Sequence, residues 1–319
     1  MKYKILIVGA GQLGSRYLQG LSNCYLDLHI TVVDSSADSL ERASSRWDEV
    51  SEKSVREHEV SFFSSMPEYG AFFDLLIIAT SASGRAKLIL ECTELFDIRY
   101  LIIEKVLAQS SSELDMIDDA LYGRVGVWVN TPRRISKWYQ QLRSVFVIQE
   151  PVNCSVIGGD WGLACNSIHF LDLMAWCTGK DLVRVDTGLL ASAWHESKRS
   201  GYFEVYGELM AYYADGSTLK LISKEKHEAV MISLQCGGVE WQISESVGTA
   251  VNSDGKAFSG KLEFQSELTG PLVESILQTG TCGLPTLHES LGVHKPFILS
   301  MVDHWNSTMT EKRTEVPLT

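Results

Sequence analysis

No apolar run in the chain approaches the roughly 20 residues that a membrane-spanning helix requires. The N-terminus lacks the basic and apolar regions of a secretory leader, because Ile5 to Ala10 runs straight into a glycine turn. Basic residues are in the minority: 28 Lys and Arg stand against 40 Asp and Glu, a net charge of −12, with no basic cluster. That balance argues against a nucleic-acid surface. The seven cysteines (Cys24, Cys92, Cys154, Cys165, Cys177, Cys236, Cys282) are odd in number, scattered, and form no CxxC pair. They read as reduced, mostly buried thiols of a cytoplasmic protein and not as a disulfide frame or zinc site. No His, Asp or Glu set has metal-ligand spacing, and there is no GxSxG, P-loop, internal repeat or low-complexity tract.

What the chain does have is Ile5-Leu6-Ile7-Val8 followed by Gly9-Ala10-Gly11-Gln12-Leu13-Gly14, with Asp34 about twenty residues beyond. Each part has its own mechanical task. The apolar run suits a buried parallel strand. Gly9 permits a tight turn, Gly11 admits a pyrophosphate against the backbone, and Gly14 lets the next helix pack closely on the strand. The start of that helix, Gln12 and Leu13, offers amide donors and the positive end of the helix dipole. Asp34 ends a second apolar strand, His29 to Val33, where a carboxylate can accept from a ribose 2′-hydroxyl. A dinucleotide site is therefore expected. Asp34 favours NAD(H), since it would repel a 2′-phosphate; Ser35 and Ser36 beside it keep NADP(H) open.

Up to about residue 130 short apolar runs alternate with helical patterns: Glu59–Ser64, Leu75–Thr80, Tyr100–Glu104 and Val125–Asn130, with helices at Arg85–Leu95 and Ser112–Leu121. This order predicts an α/β fold with a doubly wound parallel Rossmann sheet. Ligands bind such sheets at the carboxyl ends of the strands, so Asp34, Thr80, Ser81, Glu104, Lys105 and Asn130 fall on one rim. From residue 131 the texture changes. Helical spacing over Ile135–Val145 leads to a strand-like Val147–Ile157 and a helix around Asn166–Cys177. Strand-like runs follow at Val183–Ala193, Tyr202–Tyr213, Thr218–Ser223, Ala229–Cys236, Glu240–Ser244 and Lys261–Gln265. Asp215-Gly216 and Gly237-Gly238 are hairpin turns. An α+β domain over 131–319 with a large, mostly antiparallel, open sheet is expected. It closes on a helix from Leu284-Pro285-Thr286 to Trp305, which is open to packing back on the 1–130 dinucleotide-binding domain.

Taken together, these features resemble the glucose-fructose oxidoreductase / inositol dehydrogenase (Gfo/Idh/MocA) family over essentially the whole chain. The carriers are the glycine fingerprint, Ala79-Thr80, Glu104-Lys105, Asn130 with Arg133-Arg134, Ser167-Ile168-His169-Phe170-Leu171-Asp172, and Leu284-Pro285-Thr286 with Glu289 and His294. The resemblance implies an NAD(P)-dependent oxidoreductase that moves hydride between nicotinamide and a hydroxyl or keto carbon of a sugar, cyclitol or sugar derivative. It also implies a homodimer or homotetramer through the second sheet, with no nucleic-acid or membrane partner. Lys105 and His169 are then the catalytic candidates, meeting beside the nicotinamide. Asn166, Arg134 and Asp172 are candidate substrate contacts, with Asp172 alternatively holding the His169 imidazole. The cofactor would rest on Gly9, Gly11, Gln12, Leu13, Gly14, Asp34, Thr80, Ser81, Glu104, Lys105 and Asn130.

The chain departs from the family pattern in several places. Val106 stands where the family's Glu-Lys motif continues with proline, and Cys165 where an aspartate precedes the histidine by four residues. Ser81 to Arg85 replaces a Pro-Asn and histidine stretch. Arg85 reads as a solvated arginine at a helix start, with a phosphate or anionic substrate as its other use. Arg133 or Arg134 is either a carboxylate or phosphate clamp or an interdomain salt bridge, and His195 reads as part of a polar loop. These departures motivate the competing reading, a nicotinamide-binding sensor or assembly protein with impaired catalysis. Reduction of an imine or an amino-acid-derived ketone is a weaker enzymatic alternative.

Overall fold

The computed structural model describes residues 2–143 and 150–319, which form two compact units. The first comprises Met1–Leu107, Asp115–Asn130 and Glu263–Leu287, and the second Ala108–Leu114, Thr131–Leu262 and His288–Thr319. The boundary after Asn130 coincides with the change of texture in the sequence. The segment that returns to the first unit is 263–287, whereas the final helix belongs to the second.

In the first unit β1 (Tyr3–Val8), α1 (Gln12–Leu21), β2 (Leu28–Val33), α2 (Ala37–Ser51), β3 (Glu59–Phe63), β4 (Phe72–Ile78), α3 (Arg85–Leu95), β5 (Asp97–Glu104), α4 (Ser111–Ala120, from Asp115 onward) and β6 (Val127–Asn130) follow in order. All neighbouring pairs are parallel, and the sheet order is β3-β2-β1-β4-β5-β6. This is the doubly wound order, with its reversal between β1 and β4. Ile5, Leu6, Ile7, Leu75, Leu76, Ile77, Ile102 and Ile103 are buried, as strands covered on both faces require.

The second unit continues with the short α5 (Lys137–Arg143), β7 (Asn153–Gly159), α6 (Leu163–Thr178), β8 (Leu182–Glu196), β9 (Phe203–Tyr213), β10 (Thr218–Lys224), β11 (Glu228–Cys236), β12 (Val239–Ser244), β13 (Thr249–Asn252) and β14 (Ala257–Ser259). Its eight strands run β14-β13-β12-β11-β7-β10-β9-β8, and only β7 with β10 is parallel. The chain then forms α7 (Gln265–Thr279) in the first unit and α8 (Leu287–Thr308), which except for its first residue lies in the second. The α/β first unit and mostly antiparallel second sheet are those expected.

Two local expectations are corrected. Lys261–Gln265 is not a strand; Gln265 begins α7, where the Phe264 amide donates to Glu267 Oε2 at 2.8 Å. The helical pattern over 135–145 resolves into a 3₁₀ turn, Pro132–Ile135, followed by α5. Positions 144–149, which include the end of that pattern and the start of the Val147–Ile157 run, lie outside the described residues. Among the described residues no helix is long and apolar enough to cross a membrane.

Candidate active site

The opening glycines have distinct steric environments. Gly9 has φ +96°, and a Cβ there would lie 2.9 Å from the Ala79 carbonyl carbon and the Thr80 nitrogen. A Cβ on Gly14 would stand 1.7 Å from the Gly9 carbonyl oxygen, so α1 packs on the turn only because that atom is missing. Gly11 is different: its missing Cβ has nothing within 4 Å. It caps α1, no side chain occupies the cap, and the first turn, led by Gln12 and Leu13, contains no acidic residue. Gly11 therefore leaves open space at a helix N-terminus whose amides favour an anion.

Asp34, just beyond β2, turns back over the same loop. Its Oδ2 accepts the Ala10 amide at 2.7 Å and its Oδ1 the Ser36 amide at 2.8 Å. Each oxygen of an ionised carboxylate has more than one lone pair, so capacity for ribose hydroxyls remains. A cleft of about 350 Å³ opens here, lined by Gly9, Asp34, Ser64, Met66, Thr80 and Leu88 among others. The buried Thr80 hydroxyl has no hydrogen-bond partner among the described residues. A helix end without a cap, a carboxylate at the neighbouring strand end and an orphaned hydroxyl fit a dinucleotide.

On the other side of the sheet reversal Glu104 is buried at the end of β5. Its Oε1 accepts the Tyr17 hydroxyl at 2.5 Å and the Asn130 Nδ2 at 2.6 Å, and Asn130 Nδ2 also reaches Gln265 Oε1 at 2.8 Å. Burial pushes the Glu104 carboxyl above the usual range, against the pull of Tyr17, Asn130 and Arg85. Burial likewise raises the Tyr17 phenol. Ser81 and Lys105 are half-buried on this rim, and the Lys105–Val106 peptide bond is cis. Arg85 corrects the sequence expectation. It is 1% exposed, and its guanidinium donates to backbone carbonyls of the first unit instead of to solvent or an anion.

In the second unit α6 starts and ends on left-handed glycines, Gly162 and Gly179. Asn166 and His169 lie three residues apart on its half-buried side, with Asn166 Nδ2 donating to the Trp161 carbonyl at 2.8 Å. A carboxylate reaches the start of α6 from a strand of the sheet. Glu204 of β9 accepts the Ala164 amide at 2.7 Å and the Cys165 amide at 3.2 Å, capping the helix, and burial raises its carboxyl above the usual range. Nothing in the sequence marked Glu204, because its partners are about forty positions away and fold onto it only through the sheet. Its strand neighbour His195 stacks on the Tyr206 ring at 4.1 Å and is thus more ordered than a polar loop implied.

Arg134 and Asp172 are brought together, but with each other. Arg134 Nε and Nη2 reach the two Asp172 oxygens at 2.9 and 2.7 Å, Thr131 Oγ1 adds 2.7 Å, and Arg134 Nη1 meets Glu289 at 2.8 Å. With side chains 6% and 3% exposed, the pair is buried and its hydrogen bonds are directed to each other. Arg133 is likewise engaged bidentately by Glu245 at 2.7 and 2.8 Å and lies over the Phe170 ring. Both arginines thus make ion pairs inside the second unit. Among the described residues no group of three or more His, Cys, Asp or Glu is placed to hold a metal.

No protein-family model matches the chain, and no curated protein matches it by sequence. Its fold, by contrast, is found in many solved structures. Myo-inositol 2-dehydrogenase from Lactobacillus plantarum superposes with a TM-score of 0.67 at 16% identity, covering 96% of this chain and 98% of the other. Myo-inositol dehydrogenase from Lactobacillus casei, solved with NAD(H) and myo-inositol, gives 0.67 at 13% identity, with 97% and 96% covered. UDP-N-acetylglucosamine 3-dehydrogenase from Acidithiobacillus ferrooxidans gives 0.65 at 14% identity, with 94% and 96% covered. The fold is shared over nearly the full length of both chains, with little sequence in common.

Proposed function

We propose that this chain is an NAD-dependent oxidoreductase of the glucose-fructose oxidoreductase / inositol dehydrogenase type, acting on a hydroxyl or keto carbon of a sugar, cyclitol or sugar derivative. The observation that carries the reading is the uncapped start of α1 at Gly11, with the Asp34 carboxylate folded over the same turn. Fold neighbours that are inositol and sugar-nucleotide dehydrogenases support the substrate class.

In this reading the α1 amides from Gly11 to Gly14 receive the pyrophosphate. Asp34 accepts from the adenosine ribose, which disfavours a 2′-phosphate. Thr80, Ser81, Glu104, Lys105 and Asn130 form the nicotinamide end of the rim. The bound nicotinamide would supply the hydride acceptor or donor. The remaining chemistry is a proton on the substrate oxygen: Lys105 and His169 give or take it, and Asn166 orients a substrate hydroxyl.

The test is the variant Lys105→Met assayed with NAD(H) over a panel of cyclitols, sugars and keto-sugars. Retained NADH affinity with a rate lowered at least about tenfold, the scale of general acid–base help, is expected. Normal turnover would remove Lys105 from the mechanism. NADH binding without turnover of any panel member by the parent protein would favour a sensor or assembly protein instead.

A further inference from the structure

Lys105 can exchange a proton productively only if its amine is held at a fixed place, yet residue 106 is valine and brings no ring to restrain the backbone. Something else holds that segment. Arg85, the first residue of α3, follows the left-handed Gly84 and turns its side chain fully inward, 1% exposed. Its Nη1 donates to the Glu104 carbonyl at 2.7 Å and to the Val106 carbonyl, with the Leu107 carbonyl at 3.5 Å. Its Nη2 donates to the Thr80 carbonyl beyond the end of β4.

One planar cation therefore ties the β4 end to the β5 extension and grips the carbonyls of residues 104 and 106, the neighbours of Lys105. Burying a guanidinium is costly, and here the carbonyl dipoles at Nη1 and Nη2 and the nearby Glu104 carboxyl offset part of that cost. The fork is what permits it: a lysine ammonium is a point charge with three donors and cannot span both strand ends in a fixed plane.

We propose that Arg85 is a positioning residue for Lys105, holding the carbonyls of its two neighbours, Glu104 and Val106, against the end of β4. The proposal rests on the reading of Lys105 as the proton-handling group. Arg85 itself is too deeply buried to touch substrate or cofactor phosphate.

The experiment compares the full-length protein with Arg85→Lys and Arg85→Gln, following NADH affinity by fluorescence, kcat and KM against pH, and the rate of reductive methylation of Lys105 by peptide mass mapping. A displaced amine predicts kcat down by about a hundredfold, with the Lys105-dependent limb of the pH profile moved. NADH affinity is expected to stay within about threefold. Lys105 is expected to methylate faster by about tenfold or more in Arg85→Gln, with Arg85→Lys intermediate. If the parent protein turns over none of the panel, the oxidoreductase reading fails separately, and the methylation rate still decides the role of Arg85. Either variant folded with parental kcat and parental methylation overturns the proposal, as does unchanged kcat with lost NADH affinity. Failure of both variants to fold also overturns it, because Arg85 would then be needed for the fold as a whole.

Discussion

The Tyr17 hydroxyl of α1 donates to the Glu104 carboxyl at 2.5 Å, linking the helix that follows the glycine turn to the residue that precedes Lys105. Both groups are buried, and burial raises the Glu104 carboxyl. An acid whose folded-state pKa is raised favours the fold when protonated. That contribution is complete below the unfolded value near 4.5 and is lost as pH rises through the raised folded value. Glu104→Gln keeps an Oε1 acceptor for Tyr17 and Asn130 and carries no charge. Its stability relative to the parent is expected to rise between acid and neutral pH, by about 1.4 kcal/mol for each unit of upward shift. Urea melts at several pH values check this, and a pH-independent difference would contradict it.

Gly11 and Gly14 should separate binding from folding. A Cβ on Gly14 runs into the Gly9 carbonyl, and Gly14→Ala is expected to cost roughly 1–3 kcal/mol of stability as an overpacking change. Gly11 has open space, so Gly11→Ala should melt within about 0.5 kcal/mol of the parent. Because the methyl group intrudes where the pyrophosphate is proposed to lie, that variant should lose NADH binding. Paired thermal melts and fluorescence titrations read both; a Gly11→Ala protein binding NADH normally would move the phosphates elsewhere.

Asp34→Ser removes the carboxylate from the ribose position while leaving a small acceptor. NADH affinity is expected to fall about tenfold, near 1.4 kcal/mol. The preference over NADPH should shrink, since the repulsion of a 2′-phosphate is gone. Parallel titrations with both cofactors measure the ratio, and an unchanged preference would assign specificity to other residues.

Asp172→Asn leaves the Arg134 guanidinium buried with its main counter-charge removed. A loss of about 3–5 kcal/mol of second-unit stability is expected, as for breaking a buried ion pair. If the variant instead melts like the parent and loses only substrate affinity, Asp172 belongs to the substrate surface after all. Calorimetry beside steady-state KM distinguishes the two.

The α1–α7 contact shows where sequence patterns stop being informative. Gly270 and Pro271 lie inside α7 although both residue types locally disfavour a helix. In the structure a Cβ on Gly20 of α1 would lie 2.7 Å from the Ser266 carbonyl, and one on Gly270 3.1 Å from the Gly20 carbonyl. The two helices meet through their missing side chains, a packing advantage outweighing local propensity. The strands β13 and β14 are illegible because they are only four and three residues long and are defined by pairing.

The sequence by itself determined what depends on local chain mechanics. It specified the parallel strand–helix alternation, the glycine turn with its acidic residue, and the switch to an antiparallel second unit, all of which follow from short-range periodicity and turn chemistry. Only the tertiary structure decided which charges face inward. Arg85, Arg134, Asp172 and Glu204 look alike in sequence whether they meet ligand, solvent or one another. Their roles are set by groups tens to more than a hundred residues away, and burial makes leaving them unpaired too costly.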